Sequence, residues 1–258
     1  MDLFDLGGQV AIITGSTRGI GRAIAEGYAS AGARVVISSR TPAACEAVAA
    51  AINDQQGREC AVAIPASLSD KAGLQRMVEA TRRHFGRIDV LVCNAASNPH
   101  FGPSATISDE QFRKVFENNI LANHWLVTRV ASEMMERKSG AIILVSSIGG
   151  LMGSNTIGAY NISKAAELQM VRNFAVEFGP HNIRVNAILP GVIRTDFARA
   201  LWEDPAAEAA LRRATPLDRI GEPRDIAGAA LFLATQAGAF MTGQGIVIDG
   251  GYTIGSER

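Results

Sequence analysis

The chain has little that would staple, anchor or charge it. Its three cysteines, Cys45, Cys60 and Cys93, are sparse, odd in number and form no CxxC pair. A disulfide framework is therefore not expected, and a reducing compartment is. The four histidines, His84, His100, His124 and His181, are scattered without metal-ligand spacing; each reads as a surface or partly packed residue, and no metal is expected. No apolar run approaches the roughly 18 residues that span a bilayer, so no membrane partner is expected. Met1-Asp2-Leu3-Phe4-Asp5 lacks a signal-peptide pattern, and Ser256-Glu257-Arg258 is not a Ser-Lys-Leu address, which makes the cytoplasm the expected location. Net charge is missing too. Twenty-five Lys and Arg balance 25 Asp and Glu, which argues against a nucleic-acid partner held by phosphate neutralisation.

What is present is a core. Apolar residues make up 47% of 258 positions, enough to exclude general disorder and to fold without staples. Short β-rich runs alternate with helical patterns. Strands are expected at Val10–Ile13, Arg34–Ser38, Cys60–Ile64, Ile88–Val92, Ala141–Val145, Ile183–Ile188 and Gly245–Ile248. Helices are expected at Ile20–Ala31, from Pro42 as opening residue, at Asp70–Phe85 with Ser69 or Asp70 as cap, from Ser108 to about Arg137, at Ala159–Phe178 and at Asp225–Ala234. The strands are continuously apolar rather than alternating, which implies burial on both faces. Strands separated by helices imply a parallel sheet with right-handed crossovers. No linker or repeat divides the chain. The expectation is one α/β domain, residues 1–258, with a doubly wound Rossmann-like parallel sheet of about seven strands and ligands at the strands' carboxyl ends.

The first strand runs straight into Thr14-Gly15-Ser16-Thr17-Arg18-Gly19-Ile20-Gly21. A helix N-terminus favours an anion, and glycines let a pyrophosphate approach the backbone. The spacing is GxxxGxG rather than the familiar GxGxxG, and a helix start that merely tolerates glycine is the bland alternative. The second strand ends in Ser38-Ser39-Arg40-Thr41, with no carboxylate to accept from a ribose 2′-hydroxyl. Arg40 can instead pair with a 2′-phosphate, and Arg18 can approach the same group, so NADP(H) is favoured over NAD(H). Two solvated arginines are the alternative.

Tyr160-Asn161-Ile162-Ser163-Lys164 places Tyr160 and Lys164 on one helical face. A phenol with a free pKa near 10 is a poor base at neutral pH, but a nearby ammonium stabilises the phenolate. Such a tyrosine can protonate a reduced carbonyl or deprotonate an alcohol. YxxxK alone is common by chance. The strand Ile142–Val145 ends in Ser146-Ser147, upstream of Tyr160, and delivers hydroxyls to the carboxyl edge of the sheet.

In this order, the landmarks Thr14 to Gly21, Asn94-Ala95-Ala96, Asn119, Ser146-Ser147, Tyr160 to Lys164, Pro190-Gly191-Val192-Ile193-Arg194-Thr195 and Asp249-Gly250-Gly251 resemble the short-chain dehydrogenase/reductase family over nearly the whole chain. That resemblance implies Tyr160 as acid/base. It implies Lys164 as the group that lowers the Tyr160 pKa and holds the nicotinamide ribose. Ser147 would orient the substrate oxygen, and Asn119 would support a water leading to Lys164. The cofactor positions it implies are Gly15, Ser16, Thr17, Arg18, Gly19, Ile20, Ser39, Arg40, Ser67, Leu68, Asn94, Ala95, Tyr160, Lys164, Pro190, Gly191, Ile193 and Thr195. Ile193 and Thr195 would grip the carboxamide, and Asn94 and Ala95 would lie along the adenosine ribose. Two places depart from the family pattern: Ser67 stands where an aspartate is usual, and Cys93-Asn94-Ala95-Ala96 replaces Asn-Asn-Ala-Gly.

Cys93 to Gly102 and Phe197 to Trp202 are similar to the NADP-dependent carbonyl and retinal reductase branch. By resemblance, residues 196–217 are a lid over the substrate, with Phe101, Leu151 and Met152 as further lining, and the chain is a homotetramer. The partner expected is a small carbonyl or alcohol substrate. Two other readings stay open: a 3-oxoacyl-thioester reductase, with Arg129 and Arg172 as a carrier dock, and a non-catalytic dinucleotide sensor. Intact Tyr160, Lys164 and Ser147 argue against the sensor.

Overall fold

The computed structural model describes residues 3–255. The readings at Met1 and Asp2 and at Ser256-Glu257-Arg258 lie outside the described residues. Seven parallel strands form the sheet: β1 (Val10–Thr14), β2 (Arg34–Ser38), β3 (Ala61–Ala63), β4 (Val90–Cys93), β5 (Gly140–Val145), β6 (Ile183–Pro190) and β7 (Gly245–Ile248). Their spatial order is β3-β2-β1-β4-β5-β6-β7. The order reverses between β1 and β4, the place where a doubly wound sheet opens a crevice at its carboxyl edge.

Both faces of the sheet are covered. Ala11, Ile13, Val35, Ile37, Val90, Val92 and Ile143 pack with helices α1 (Gly19–Ser30), α2 (Pro42–Gln56) and α9 (Pro223–Ala234). Their chain neighbours Ile12, Val36, Leu91, Ile142 and Leu144 point the other way. They pack with α3 (Lys71–Phe85), α5 (Ala122–Arg137) and α6 (Gly158–Phe178). Alternation along each strand thus feeds two cores, which is why the strands read as unbroken apolar runs. Each fully buried Ile, Val or Leu contributes roughly 1.5–3 kcal/mol. Tyr28 on α1 is fully buried, and its hydroxyl donates to the Ala230 carbonyl at 2.9 Å, tying α1 to α9.

Local signals account for most helix starts. Asp70 caps α3 by accepting from the Gly73 N–H, so Asp70 rather than Ser69 is the cap. Ser108 and Gln111 form a reciprocal box at α4 (Asp109–Phe116). The segment expected as one helix from Ser108 to about Arg137 is helical but not uniform. Between α4 and α5, residues Glu117–Leu121 form a π-helical turn, and the Ala122 N–H reaches back to the Glu117 carbonyl. Such turns add a residue to the helix and re-aim its side chains. This one buries Asn118 and Asn119.

Strand limits move by one or two residues from the expected ones: β3 is shorter, β4 runs to Cys93 and β6 continues to Pro190. Residues 196–217, expected as a lid, contain a short 3-10 turn at Asp196–Ala198, α7 (Arg199–Trp202) and α8 (Pro205–Ala214). No helix among the described residues is long and apolar enough to cross a membrane.

Candidate active site

The turn after β1 has a shape that only small residues allow. Gly15 has φ +66°, the left-handed region. A Cβ at Gly21 would stand 2.5 Å from both the Asn94 amide nitrogen and the Gly15 carbonyl oxygen. Two polar clasps hold the turn. The Ser16 hydroxyl donates to the Ile13 carbonyl and accepts from the Ser38 N–H, while the Ser16 N–H donates to the Ser38 carbonyl. The Asn94 amide donates to the Thr14 and Gly15 carbonyls, and Thr14 Oγ1 accepts from the Asn94 and Ala95 N–H groups. Ser16 and the Asn94 side chain therefore brace the turn. Thr17, Gly19 and Ile20 complete it, with Thr195 Cγ2 lying 3.1 Å from where a Cβ on Gly19 would be.

At the end of β2 the Ser39 hydroxyl contacts Cys45 Sγ at 3.3 Å, and its carbonyl accepts from the Ala66 N–H. Arg40 is exposed, and none of its atoms makes a hydrogen bond or ion pair within the described residues. Arg18 is exposed as well, but pairs at 3.2 Å with Asp196, which also holds Arg199. Ser67 and Leu68 are half-buried beside β3; the Ser67 carbonyl accepts from Asp70. On the opposite side of the crevice Pro190 ends β6 and the Gly191 N–H donates to the Ile248 carbonyl. Ile193 is buried and bridges to Gly221, and Thr195 caps the turn at Asp196–Ala198.

The polar centre lies past the ends of β4 and β5. The Lys164 ammonium is 5.5 Å from the centre of the Tyr160 ring. Burial pushes the Tyr160 phenol up; the Lys164 ammonium pulls it back, the Glu167 carboxylate opposes that, and the nearby Ser147 hydroxyl lowers it slightly. The Ser147 hydroxyl also accepts from the Gly149 N–H at 3.0 Å. Ser146 points elsewhere: its hydroxyl is buried and donates to the Lys164 carbonyl at 3.0 Å. Asn119 is fully buried. Its amide donates to Ser97 O and Ser163 Oγ and accepts from Ser97 N, fixing the loop after β4, while its main-chain carbonyl accepts from Asn123 Nδ2 at 2.7 Å.

The residues expected at the reacting centre, Ser147, Tyr160, Lys164 and Asn119, are thus brought to one place. Two more that the sequence reading passed over join them. Glu167 binds the Lys164 ammonium with both carboxylate oxygens, at 2.9 and 3.0 Å, and Asn123 reaches Glu167 Oε1 at 3.3 Å. Glu167 lies three residues beyond Lys164, on the same helical face, and that spacing is the signal that was there to be used. Asn123 has no such signal, because it arrives from α5.

At the cleft the Phe197 ring lies 5.9 Å from the Tyr160 ring, and Phe101, Leu151, Met152 and Phe197 are all exposed. Trp202 lies under the Arg194 guanidinium at 4.9 Å, and Arg194 pairs with Glu208. Arg129 and Arg172 lie away from this cleft: Arg129 lines a surface groove between α3 and α5, and Arg172 is exposed on α6 and donates to Gln169. Among the described residues no group of three His, Cys, Asp or Glu side chains is placed to hold a metal.

A family profile described as enoyl-(acyl carrier protein) reductase matches residues 15–253. The chain is 38% identical over 248 residues to dehydrogenase/reductase SDR family member 4 of Mus musculus, which covers 95% of this chain and 88% of that protein. A gluconate 5-dehydrogenase from Burkholderia cenocepacia J2315, solved in complex with NADP and tartrate, superposes with a TM-score of 0.94 at 30% identity over 99% of each chain. A 7α-hydroxysteroid dehydrogenase complexed with NADH and 7-oxo glycochenodeoxycholic acid superposes with a TM-score of 0.93 at 35% identity over 100% of this chain and 98% of that one.

Proposed function

The chain belongs to the short-chain dehydrogenase/reductase family of oxidoreductases, and from that premise we propose that it transfers a hydride between NADP(H) and a ketone, aldehyde or secondary alcohol, with Tyr160 as acid/base. The observation that carries the reading is the convergence of the Tyr160 phenol, the Lys164 ammonium and the Ser147 hydroxyl past the end of β5. The bound nicotinamide supplies or takes the hydride.

The residues present fit a dinucleotide. Gly15 and Gly19 hold left-handed φ of +66° and +56° without side chains where the β1 turn enters α1, which leaves room for a pyrophosphate to approach the backbone. The Arg40 guanidinium has no protein partner within the described residues and is free to take a 2′-phosphate. Arg18 is engaged only with exposed Asp196, a contact worth little in water, and can be shared with the same phosphate. The NADP bound to the gluconate 5-dehydrogenase supports this preference, and the NADH bound to the hydroxysteroid dehydrogenase keeps NAD(H) as the second cofactor.

On reduction the Tyr160 phenol gives its proton to the carbonyl oxygen; on oxidation the phenolate takes one from the alcohol. Lys164 stabilises the phenolate by its charge. Ser147 donates to the substrate oxygen and orients it. Phe101, Leu151, Met152 and Phe197 favour substrates with aliphatic or aromatic groups beside the carbonyl. A homotetramer follows the family habit, and closed symmetry is common in soluble enzymes.

A panel of carbonyls and alcohols, assayed with NADPH and NADH by absorbance, tests the reading. Turnover of apolar ketones or aldehydes with a preference for NADPH supports it. Cofactor binding without hydride transfer across the panel overturns it in favour of a sensor, and turnover confined to 3-oxoacyl thioesters replaces the substrate class.

A further inference from the structure

We propose that Glu167 is a positioning residue for the Tyr160–Lys164 pair: a buried counter-ion that fixes the ammonium and raises the pH at which the pair gives up its first proton. The proposal rests on the reading of Tyr160 as acid/base.

The geometry is specific. Lys164 is 1% exposed, and so is Glu167. An ammonium has three hydrogens to donate. Here two go to the Glu167 carboxylate, at 2.9 and 3.0 Å, and the third to the Val145 carbonyl at 3.0 Å. The ammonium is therefore pinned between the end of β5 and its own helix. Glu167 is pinned in turn. Asn123 Nδ2 donates to Glu167 Oε1 and to the Asn119 carbonyl, so the carboxylate is held by the helix that continues from the π-helical turn. Leu168 and Val171 on the same helix are buried in the core shared with α3 and α5. An apolar side chain would pack at position 167; a carboxylate there is costly to desolvate unless a cation answers it.

The charges give the arrangement a consequence. The titratable groups facing Glu167 are Lys164 and Tyr160 on its own helix and Cys93 at the end of β4. From α5 it meets the neutral amide of Asn123, and from the end of β5 the neutral hydroxyl of Ser146. With Glu167 ionised, the buried group of three (Tyr160, Lys164, Glu167) is neutral, and loss of a proton leaves it at −1. Without that carboxylate the pair starts at +1 and loses a proton to become neutral, an easier step in a dry setting. Burial pushes the Glu167 carboxyl up, and the Lys164 ammonium offsets only part of that rise. Glu167 keeps Lys164 charged and in place, at the expense of part of that charge's pull on the phenol.

The test needs no turnover. The Tyr160 phenol is titrated by near-ultraviolet absorbance in the cofactor-free protein, taken as the difference from the same protein carrying Tyr160→Phe. Glu167→Gln is expected to move that transition about one pH unit or more toward acid, and Glu167→Asp to leave it near the parent. A transition that stays or rises in Glu167→Gln overturns the proposal, as does an equal shift in both variants, which would mark a packing effect. Thermal melting shows that each variant is folded. If Glu167→Gln does not fold, parent and Glu167→Asp proteins labelled at the glutamate side-chain carboxyl carbon are compared by NMR. The resonance lost in Glu167→Asp is that of Glu167. An ionised signal at neutral pH supports the counter-ion; a protonated one overturns it. Parent-like turnover by Tyr160→Phe would defeat the acid/base reading instead, and the phenol titration stands or falls apart from that result.

Discussion

Two ion-paired regions flank the crevice, and they are built by opposite rules. At the end of β5, Lys164 and Glu167 are buried together, and every hydrogen of the ammonium has a fixed acceptor. At the Asp196–Ala198 turn, Arg18, Asp196 and Arg199 are paired but exposed. Water screens the second group, so its contacts exchange easily; the first has no solvent to fall back on. A buried charge set is suited to holding one proton inventory, and an exposed one to changing partners as ligands come and go.

The contrast sharpens into experiments, ordered by expected size. Tyr160→Phe is expected to lower turnover by about 10²–10⁴-fold, the worth of a positioned acid or base, while NADPH binding followed by fluorescence changes little. Lys164→Met leaves the Glu167 carboxylate buried without its cation and should cost about 3–5 kcal/mol of folding stability in urea unfolding. Adding Glu167→Leu to it should restore most of that loss; if the double variant is no more stable than the single, the buried pair is not what the first substitution broke. Arg40→Ala removes a charge-assisted contact worth about 1.5–3 kcal/mol. NADPH affinity should therefore fall about tenfold or more by titration, with NADH nearly unaffected. Equal loss for both cofactors would move the 2′-phosphate elsewhere. Asp196→Ala should change stability by less than about 1 kcal/mol, as surface pairs do. A loss as large as that of Lys164→Met would erase the distinction between the two regions.

The pH dependence follows from the same buried centre. Burial raises the Tyr160 phenol, so at neutral pH the protonated form dominates. Alcohol oxidation, which needs the phenolate, should climb as pH rises. Carbonyl reduction, which needs the phenol, should fall over the same range. Paired rate profiles check this, and a flat profile in both directions would place the proton on another group.

Much of this was written locally in the chain. Val10–Thr14 with the glycines after it, Asp70 and Ser108 as caps, and the Tyr160–Lys164 spacing all rest on neighbours a few residues apart. Periodicity and capping therefore exposed them. Ser147 was reached from its place at the end of a strand, and Asn119 only through the order of motifs along the chain. The π-helical turn at Glu117–Leu121 was not legible, since Glu117 to Leu121 has ordinary helical composition. Ser16 and Asn94 read as ligand contacts, while their side chains prove to brace the turn.

By itself the amino-acid sequence determined the alternation of strands and helices, the burial of both sheet faces and the spacing that puts the Tyr160 phenol and the Lys164 ammonium on one helical face. These depend on local spacing and on hydrophobic pattern, which survive without a third dimension. Only the tertiary structure decided which charges are dry. Glu167 on an isolated helix is a solvated carboxylate like any other. It becomes the counter-ion of Lys164 because β5, α5 and its own helix close around it, and desolvation is a property of that enclosure rather than of the residue.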